Sequence, residues 1–182
     1  MIKNIALCLL FVLPFLSNSQ LLVSYKKDPK VNFKKYKTYQ VHSLNVKTVP
    51  EMEPRKESIN FLLNEIGKQM NARGYQKVNE NPDLMLNIGV VISAEQKTRQ
   101  TDIRDAPTYM GQRNYHWESE EIVVHEYHAG TVVLDIVDAA QGKMIYQAVT
   151  KEVISPSTDT NKTRIIKAVK KQFKNYPVKV KK

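Results

Sequence analysis

The stretch EIVVHEYHAGTVVLDIVDAAQGKMIYQAVTKEV, at residues 121–153, decides the fold of this chain. Its β-branched and aromatic residues alternate with polar ones, which is typical of strands that place one face on a core. In the middle segment, for example, Val132, Leu134 and Ile136 share one face. The stretch therefore predicts an antiparallel meander of three strands, at 122–127, 131–137 and 143–150, with turns at 128–130 and 138–142.

The rest of the chain predicts three more strands, at 21–25, 36–42 and 84–93, and two amphipathic helices. Each helix carries apolar residues at helical spacing, in the first Ile59, Leu62, Leu63, Ile66 and Met70, and in the second Ile166, Val169, Phe173 and Tyr176. The element order ββαββββα predicts an α+β fold. We expect a single two-layer domain in which a mixed, mostly antiparallel β-sheet has two helices packed on one face.

The formal net charge of +10 is concentrated near the end of the chain. Residues 20–161 hold equal numbers of basic and acidic groups, whereas residues 162–182 hold nine basic groups and no acidic one. A second local excess lies at residues 26–37, where six lysines stand against Asp28 alone. If the two basic segments lie close together in the fold, they form one positive surface.

The first 19 residues predict a secretory signal peptide. Lys3 precedes an apolar stretch at 5–16, and Ser17 and Ser19 are the small residues that a signal peptidase requires, so we expect cleavage before Gln20. The alternative is a buried N-terminal helix or an uncleaved anchor, although the apolar stretch is short for a membrane span. The predicted division is a signal peptide at 1–19, an envelope domain at 20–177 and a basic C-terminal tail at 178–182.

Cys8 is the one cysteine of the chain, and it lies inside the predicted signal. With a single cysteine an intramolecular disulfide is excluded, and a cysteine-based metal site or nucleophile is implausible. A lipoprotein would need its cysteine after a longer leader, so we expect an exported protein of the periplasm or outer envelope that is not lipidated.

Short motifs occur in order along nearly the whole mature chain. The series opens with Tyr25, Asp28-Pro29, Phe33, Tyr36 and Thr38-Tyr39, continues with ARGY at 72–75 and NPDL at 81–84, and closes with Gly130-Thr131, Asp135, Asp138-Ala139, Gly142-Lys143, Tyr146 and Tyr176-Pro177. In this order and spacing the chain resembles the bacterial cell-envelope and lipoprotein family known as domain of unknown function 4136. The resemblance implies export and an α+β fold, and it implies no activity. The chain departs from the family pattern in lacking a lipidation cysteine and in carrying Tyr146 where a tryptophan is expected.

Two groups of titratable residues have the composition of a metal site or a catalytic site. His116, His125 and His128 could ligate zinc, but His125 and His128 lie three apart on a predicted strand and would point to opposite faces. Asp135 and Asp138 could form an acid–base pair. We expect instead that Asp135 faces solvent and that Asp138 accepts backbone N–H bonds in a hairpin turn. We therefore predict no metal site, no cofactor and no catalytic residue.

The segment at 96–119 is the candidate for ligand binding, because it is long, polar and irregular, and such loops often carry function. Aromatic faces and a guanidinium suit stacking on a sugar or a peptide, and the segment offers Tyr109, Arg113, Tyr115, His116 and Trp117. The alternative is that Tyr115 and Trp117 simply cover the open face of the sheet.

The lysines of the last helix and tail are candidates for contact with an anionic membrane or polysaccharide surface. The candidates are Lys170, Lys171, Lys174, Lys179, Lys181 and Lys182. The alternative is the solvated lysine face of an ordinary amphipathic helix. Export argues against nucleic acid, which becomes the natural partner only if the N-terminal segment is not a signal.

The leading hypothesis is a non-enzymatic, exported envelope domain that binds or scaffolds an envelope component. The alternative is an envelope hydrolase with a site between the 96–119 loop and the 121–153 meander, using His125, Glu126 or Asp135. The sequence predicts neither the identity of the partner nor the oligomeric state.

Overall fold

The structure is a computed structural model that describes residues 22–50, 56–101 and 120–181. The predicted signal peptide at 1–19 lies outside these ranges. Within them, six strands form one sheet: β1 (Leu22–Lys27), β2 (Thr38–Lys47), β3 (Gln76–Lys77), β4 (Leu84–Gln100), β5 (Glu121–Asp138) and β6 (Lys143–Val153). Their order across the sheet is β1–β6–β5–β4–β2–β3.

Two α-helices of the described residues, α1 (Lys56–Asn71) and α2 (Thr158–Gln172), cover one face of this sheet. Strand β2 is parallel to β3 and β4, because α1 carries the chain back across the sheet between β2 and these two strands. The pairs β1–β6, β5–β6 and β4–β5 are antiparallel. The predicted α+β class, with a mixed, mostly antiparallel sheet and both helices on one face, is confirmed.

The core lies between the helices and the alternating apolar residues of the central strands. Leu62, Ile66 and Met70 of the α1 stripe are buried, as is Val169 of α2. They pack against the inner face of the sheet, where burial alternates along β4 as the period of a strand requires. The helical spacing seen in the sequence is therefore core packing.

Aromatic rings fill the end of the core near the C-termini of both helices. The Tyr176 ring centre lies 5.0 Å from that of Tyr146 and 5.5 Å from that of Phe33. Tyr146, a position where the resemblance led us to expect a tryptophan, donates its hydroxyl to the Gln172 carbonyl at 2.5 Å. Burial raises the pKa of Tyr146 to about 12. A tyrosine is accommodated here because its hydroxyl has an acceptor.

The predicted turn at 128–130 is wrong, because the chain stays extended through it. Residues 122–127 and 131–137, expected as two strands, belong to the single strand β5. Gly130 is paired on both sides, with Ile92 of β4 and Glu152 of β6. A Cβ built on Gly130 would lie 3.4 Å from Ile154, so this glycine marks a close approach of a side chain to the strand.

The predicted start of the 96–119 loop is also wrong for its first residues, because β4 continues to Gln100. Strand β4 pairs with β5 along this extension, where Gln96 Nε2 donates to Glu126 Oε1 at 2.8 Å and Thr98 bonds to Glu121. Both faces of this ribbon are largely exposed. Since neither face packs on a core, residues 96–100 show no apolar alternation that could have predicted the extension of β4.

Candidate functional site

The structure places the predicted binding residues as follows. The ligand-binding candidates Tyr109, Arg113, Tyr115, His116 and Trp117 lie outside the described residues. The side chains of Lys170, Lys171, Lys174, Lys179 and Lys181 are exposed, and Lys182 lies outside the described residues. The lysine face is thus available to a partner, and the aromatic hypothesis stays a prediction.

The residues of the hypothetical hydrolase site do not converge. His125 and Asp135 are ten positions apart on the continuous strand β5, which separates them by about 33 Å at roughly 3.3 Å per residue. The His125 ring stacks on Tyr127, whereas Asp135 accepts a bond from Gln147 Nε2 at 2.8 Å. Glu126 is exposed and bonds to Gln96. These three residues therefore form no common site.

The histidines of β5 point to opposite faces of the sheet. His128 lines a groove on the helix side, and His125 shares the other face with Tyr127. Among residues 22–50, 56–101 and 120–181, no group of three or more His, Cys, Asp or Glu side chains is placed to hold a metal ion.

Asp138 has the predicted role of accepting backbone N–H bonds in the β5–β6 turn. Its Oδ1 accepts from Ala140 at 3.0 Å and from Gln141 at 3.1 Å. The sequence did not indicate its second role, in which the buried Oδ2 accepts the Tyr36 hydroxyl at 2.6 Å. This hydroxyl bond is the main reason that the pKa of Asp138 lies below its ordinary value. Asp138 therefore ties the turn to the segment that precedes β2.

A positively charged cavity forms where the two lysine-rich segments meet. Lys34 and Lys37 of the first segment and Lys181 of the second line one cavity of about 270 Å³. Its other lining residues are Phe33, Tyr36, Arg73, Gly74, Tyr75 and Val178. We call these nine residues the basic pocket. The two basic segments thus lie close together in the fold, at the end of the domain where α1 and α2 end.

Hydrogen bonds hold the first lysine segment in place. Asn32 Oδ1 accepts the Lys34 N–H at 3.1 Å at the start of a short 3₁₀ helix, Phe33–Lys35. Asp83 Oδ2 accepts the backbone N–H groups of Lys37 at 2.7 Å and Thr38 at 2.9 Å. These backbone bonds lower the pKa of Asp83, so the segment is clamped by an ionised carboxylate at neutral pH.

The second lysine segment is fixed against the end of α1. The Lys181 N–H donates to the Ala72 carbonyl at 2.8 Å. Gly74, just past the helix, has a φ of 88°, a left-handed conformation that favours glycine. A Cβ at Gly74 would overlap the Lys181 side chain. Glycine is therefore required here for two reasons: it adopts the left-handed backbone conformation, and its lack of a Cβ leaves room for the Lys181 side chain.

Arg73 lines the basic pocket and is only 8% exposed. Its Nη1 donates to the carbonyl and side-chain oxygens of Gln69 at 2.8 and 2.9 Å, and its Nη2 donates to the Phe173 carbonyl at 3.1 Å. The Phe173 and Tyr176 ring centres lie 4.9 and 6.0 Å from the guanidinium carbon. Burial lowers the pKa of Arg73 from its ordinary value.

Arg73 was missed as a functional candidate in the sequence. The available signal was a basic residue between an apolar helical stripe and Gly74, inside the ARGY motif at 72–75. Such a residue usually caps the helix from its exposed side. Its burial depends on Phe173 and Tyr176, which are about a hundred positions away and which no local pattern connects to it.

A larger groove of about 480 Å³ lies between the first turns of both helices and the sheet. Most of its wall is apolar, including Ile59, Leu62, Val90, Ile92, Val132 and Ile165. Two of its polar residues are tied to backbone carbonyls, since Arg164 Nη1 donates to Val153 at 2.5 Å and Asn161 Nδ2 to Ser155 at 2.6 Å. The groove therefore offers mainly apolar surface.

The helices in the described part of the chain are too short or too polar to span a bilayer. The family model of the Domain of unknown function (DUF4136) matches residues 23–178. None of the curated proteins matches the sequence.

Several solved structures align with part of this chain. A PDZ domain protein from Parabacteroides distasonis aligns with a TM-score of 0.47 and 12% identity over 87% of this chain, which spans only 38% of that protein. The PelC dodecamer from Paraburkholderia phytofirmans aligns with a TM-score of 0.47 and 10% identity over 85% of this chain and 95% of the PelC chain. Lipoprotein GNA1162 from Neisseria meningitidis aligns with a TM-score of 0.40 and 12% identity, over 75% of this chain and 97% of the lipoprotein. At these scores none of the likenesses indicates a function for this chain.

Proposed function

This chain belongs to the DUF4136 family of domains of unknown function, and we propose that it is an exported cell-envelope domain that binds an anionic membrane surface through its basic pocket. The role is one of binding, without catalysis by the domain itself. The main support for this proposal is that two lysine segments, far apart in sequence, meet at one end of the fold.

Export is supported by the N-terminal segment. A basic start, an apolar stretch and Ser17 and Ser19 form the three parts of a cleavable signal. Cleavage before Gln20 would remove Cys8, so the mature chain would carry no lipid anchor at that residue. A positive surface is a means of staying near a membrane that does not require a lipid at Cys8.

Membrane contact is supported by the charges around the basic pocket. Lys34, Lys37 and Lys181 are exposed and line one cavity, and Lys174 follows directly on Phe173 at the same end of the domain. Two carboxylates that contact pocket residues are already engaged, since Asp83 accepts backbone N–H groups and Asp138 accepts backbone N–H groups, the Tyr36 hydroxyl and Lys35 Nζ. Each lysine near an anionic bilayer contributes about 1 kcal/mol.

A binding role is supported by what the carboxylates do. Asp83 and Asp138 hold backbone and tyrosine groups in the fold, and Asp135 bonds to Gln147. A general acid or base must reach a substrate proton directly or through one water. Carboxylates that hold the structure together are poorly placed for that task.

The experiment is co-sedimentation of the full chain with vesicles of phosphatidylglycerol and phosphatidylcholine. The pocket variant is Lys34→Ala/Lys37→Ala/Lys181→Ala. The matched control is Lys47→Ala/Lys56→Ala/Lys97→Ala, which removes the same charge from exposed positions toward the opposite end of the strands and of α1. All three proteins carry the same N-terminal segment, so differences in sedimentation between them report the lysine substitutions.

We expect wild type and control to bind phosphatidylglycerol vesicles in a salt-sensitive way and the pocket variant to bind far more weakly. Equal binding by the two variants would contradict the proposal. If a soluble anionic polysaccharide binds the wild type in a Lys34-, Lys37- and Lys181-dependent manner and vesicles do not, the surface serves a polysaccharide and the membrane assignment is wrong.

A further inference from the structure

Arg73 is a buried cation without a counter-ion in the described part of the chain. Its guanidinium is held by Gln69 and by the Phe173 carbonyl, both neutral groups, and its Nε is buried without a hydrogen-bond partner. Removing a charge from water is costly unless an opposite charge compensates it. A bound anion would supply the opposite charge that Arg73 lacks among the described residues.

The charged residues that line the basic pocket are all positive. Lys34, Lys37 and Lys181 line the cavity with Arg73, and no carboxylate is among its nine lining residues. The Lys37 Nζ donates to the backbone carbonyl of Lys34 at 3.4 Å, which holds the Lys37 side chain against the 3₁₀ helix that carries Lys34. Four cations thus surround a space of about 270 Å³.

We propose that the basic pocket is a binding site for a single phosphate group, with Arg73 at its inner wall and Lys34, Lys37 and Lys181 around it. This inference deepens the proposed membrane contact and rests on it for its biological setting. Arginine and lysine are the residues that bind phosphate, the first through a planar fork of donors and the second as a point charge. Several cations suit the charge of a phosphate better than that of a single carboxylate.

The fold also sets the pocket before any ligand arrives. The 3₁₀ helix capped by Asn32 fixes Lys34, and Asp83 fixes the backbone at Lys37. The Ala72 carbonyl fixes the backbone at Lys181. A site whose backbone is already ordered loses less conformational freedom on binding. The residual freedom lies in the lysine side chains, which can adjust to the phosphate oxygens.

The test is a titration of the ¹⁵N-labelled full chain with inorganic phosphate at constant ionic strength, followed through the Nε–H signal of Arg73 by NMR. We expect this signal to shift and saturate. Its half-saturation concentration should rise at least tenfold in Lys34→Ala/Lys181→Ala and stay within twofold of wild type in Lys47→Ala/Lys97→Ala. The variants leave Arg73 in place, so the reporter signal is present in every protein.

An absent or non-saturating shift, or an equal response in the two double variants, would overturn the assignment. Glycerol phosphate as a second titrant distinguishes the source of the group, because tighter binding than inorganic phosphate indicates a lipid headgroup and weaker binding indicates the free ion. Vesicle binding that depends on the pocket lysines without a saturable phosphate response would leave the membrane contact standing and reject the discrete site. The reverse pattern would keep the site and reject the membrane contact.

Discussion

Arg73 Nη2 donates a hydrogen bond to the Phe173 carbonyl at 3.1 Å, and the Phe173 ring centre lies 4.9 Å from the same guanidinium carbon. This pair joins the end of α1 to the end of α2. It also places a positive charge beneath the surface where Lys34, Lys37 and Lys181 meet. One residue thus connects the packing of the helices with the charge of the basic pocket.

Replacing Arg73 with methionine should lower the free energy of unfolding by about 1–3 kcal/mol, because the Phe173 carbonyl loses its charged donor and keeps only the Tyr176 N–H. Chemical denaturation of the full chain measures this change. Lys77→Met, at an exposed position on β3, is the control and should stay within about 0.5 kcal/mol of wild type. If Arg73→Met has the same free energy of unfolding as wild type, the hydrogen bond to Phe173 contributes nothing to stability.

Asp138→Asn should destabilise the fold by roughly 1.5–3 kcal/mol at pH 7, since it removes the charged acceptor of the Tyr36 hydroxyl. The pKa of Asp138 is lower in the folded protein than in the unfolded chain, where it is about 3.9. The stabilisation that the ionised carboxylate provides is therefore complete above the unfolded pKa and is lost as the pH falls through the folded pKa. The difference between wild type and variant should therefore shrink below about pH 4.

Denaturation curves at pH 7 and at pH 3 test this dependence. Asp135→Asn, at a half-buried position on the same strand, is the control and should give a smaller change at pH 7. A difference for Asp138→Asn that is the same at both pH values would show that the charge of the carboxylate is not what stabilises the turn.

Gly74→Ala should cost more stability than Gly142→Ala, although both glycines have positive φ. Strain in the left-handed region costs about 1–2 kcal/mol at either site. At Gly142 the new methyl meets nothing within 4 Å, whereas at Gly74 it overlaps the Lys181 side chain. In a Lys181→Ala background the extra cost at Gly74 should disappear. If the two alanine variants are equally stable in the wild-type background, Lys181 does not pack against Gly74 as described.

Gly130→Ala should leave stability unchanged or raise it by about 0.5 kcal/mol. Gly130 lies in a strand, outside the left-handed region, and alanine reduces the freedom of the unfolded chain. The contact with Ile154 at 3.4 Å requires only a small adjustment. Urea denaturation measures the change, with Gly142→Ala as the destabilised reference. A loss of more than about 1 kcal/mol would support a turn at 128–130 and contradict the continuous strand.

The contrast between Gly130 and Gly142 shows where sequence reasoning succeeded and failed. Both glycines follow short polar segments, and both suggested turns. Only Gly142 turns the chain, because Gly130 is flanked by paired partners from β4 and β6. Local patterns predicted the helices and the face of each central strand, since those patterns reflect burial. They could not predict pairing across strands that lie far apart in sequence.

The candidate site was only partly predictable for the same reason. The two lysine segments were visible as local charge, and a shared surface was expected if they met. Their meeting depends on Lys181 lying against Gly74 and on Phe33 packing against Tyr176. Arg73 was missed because its burial is a tertiary effect.

Membrane binding through the basic pocket is tested most directly by the ratio of vesicle dissociation constants for two triple variants, Lys34→Ala/Lys37→Ala/Lys181→Ala and Lys47→Ala/Lys56→Ala/Lys97→Ala. Phosphatidylglycerol vesicles at low ionic strength are the probe, because surface charges are least screened there. At about 1 kcal/mol per lysine, the pocket variant should bind roughly 100-fold more weakly than the control. A ratio near one, with both variants folded, would contradict membrane binding through the basic pocket.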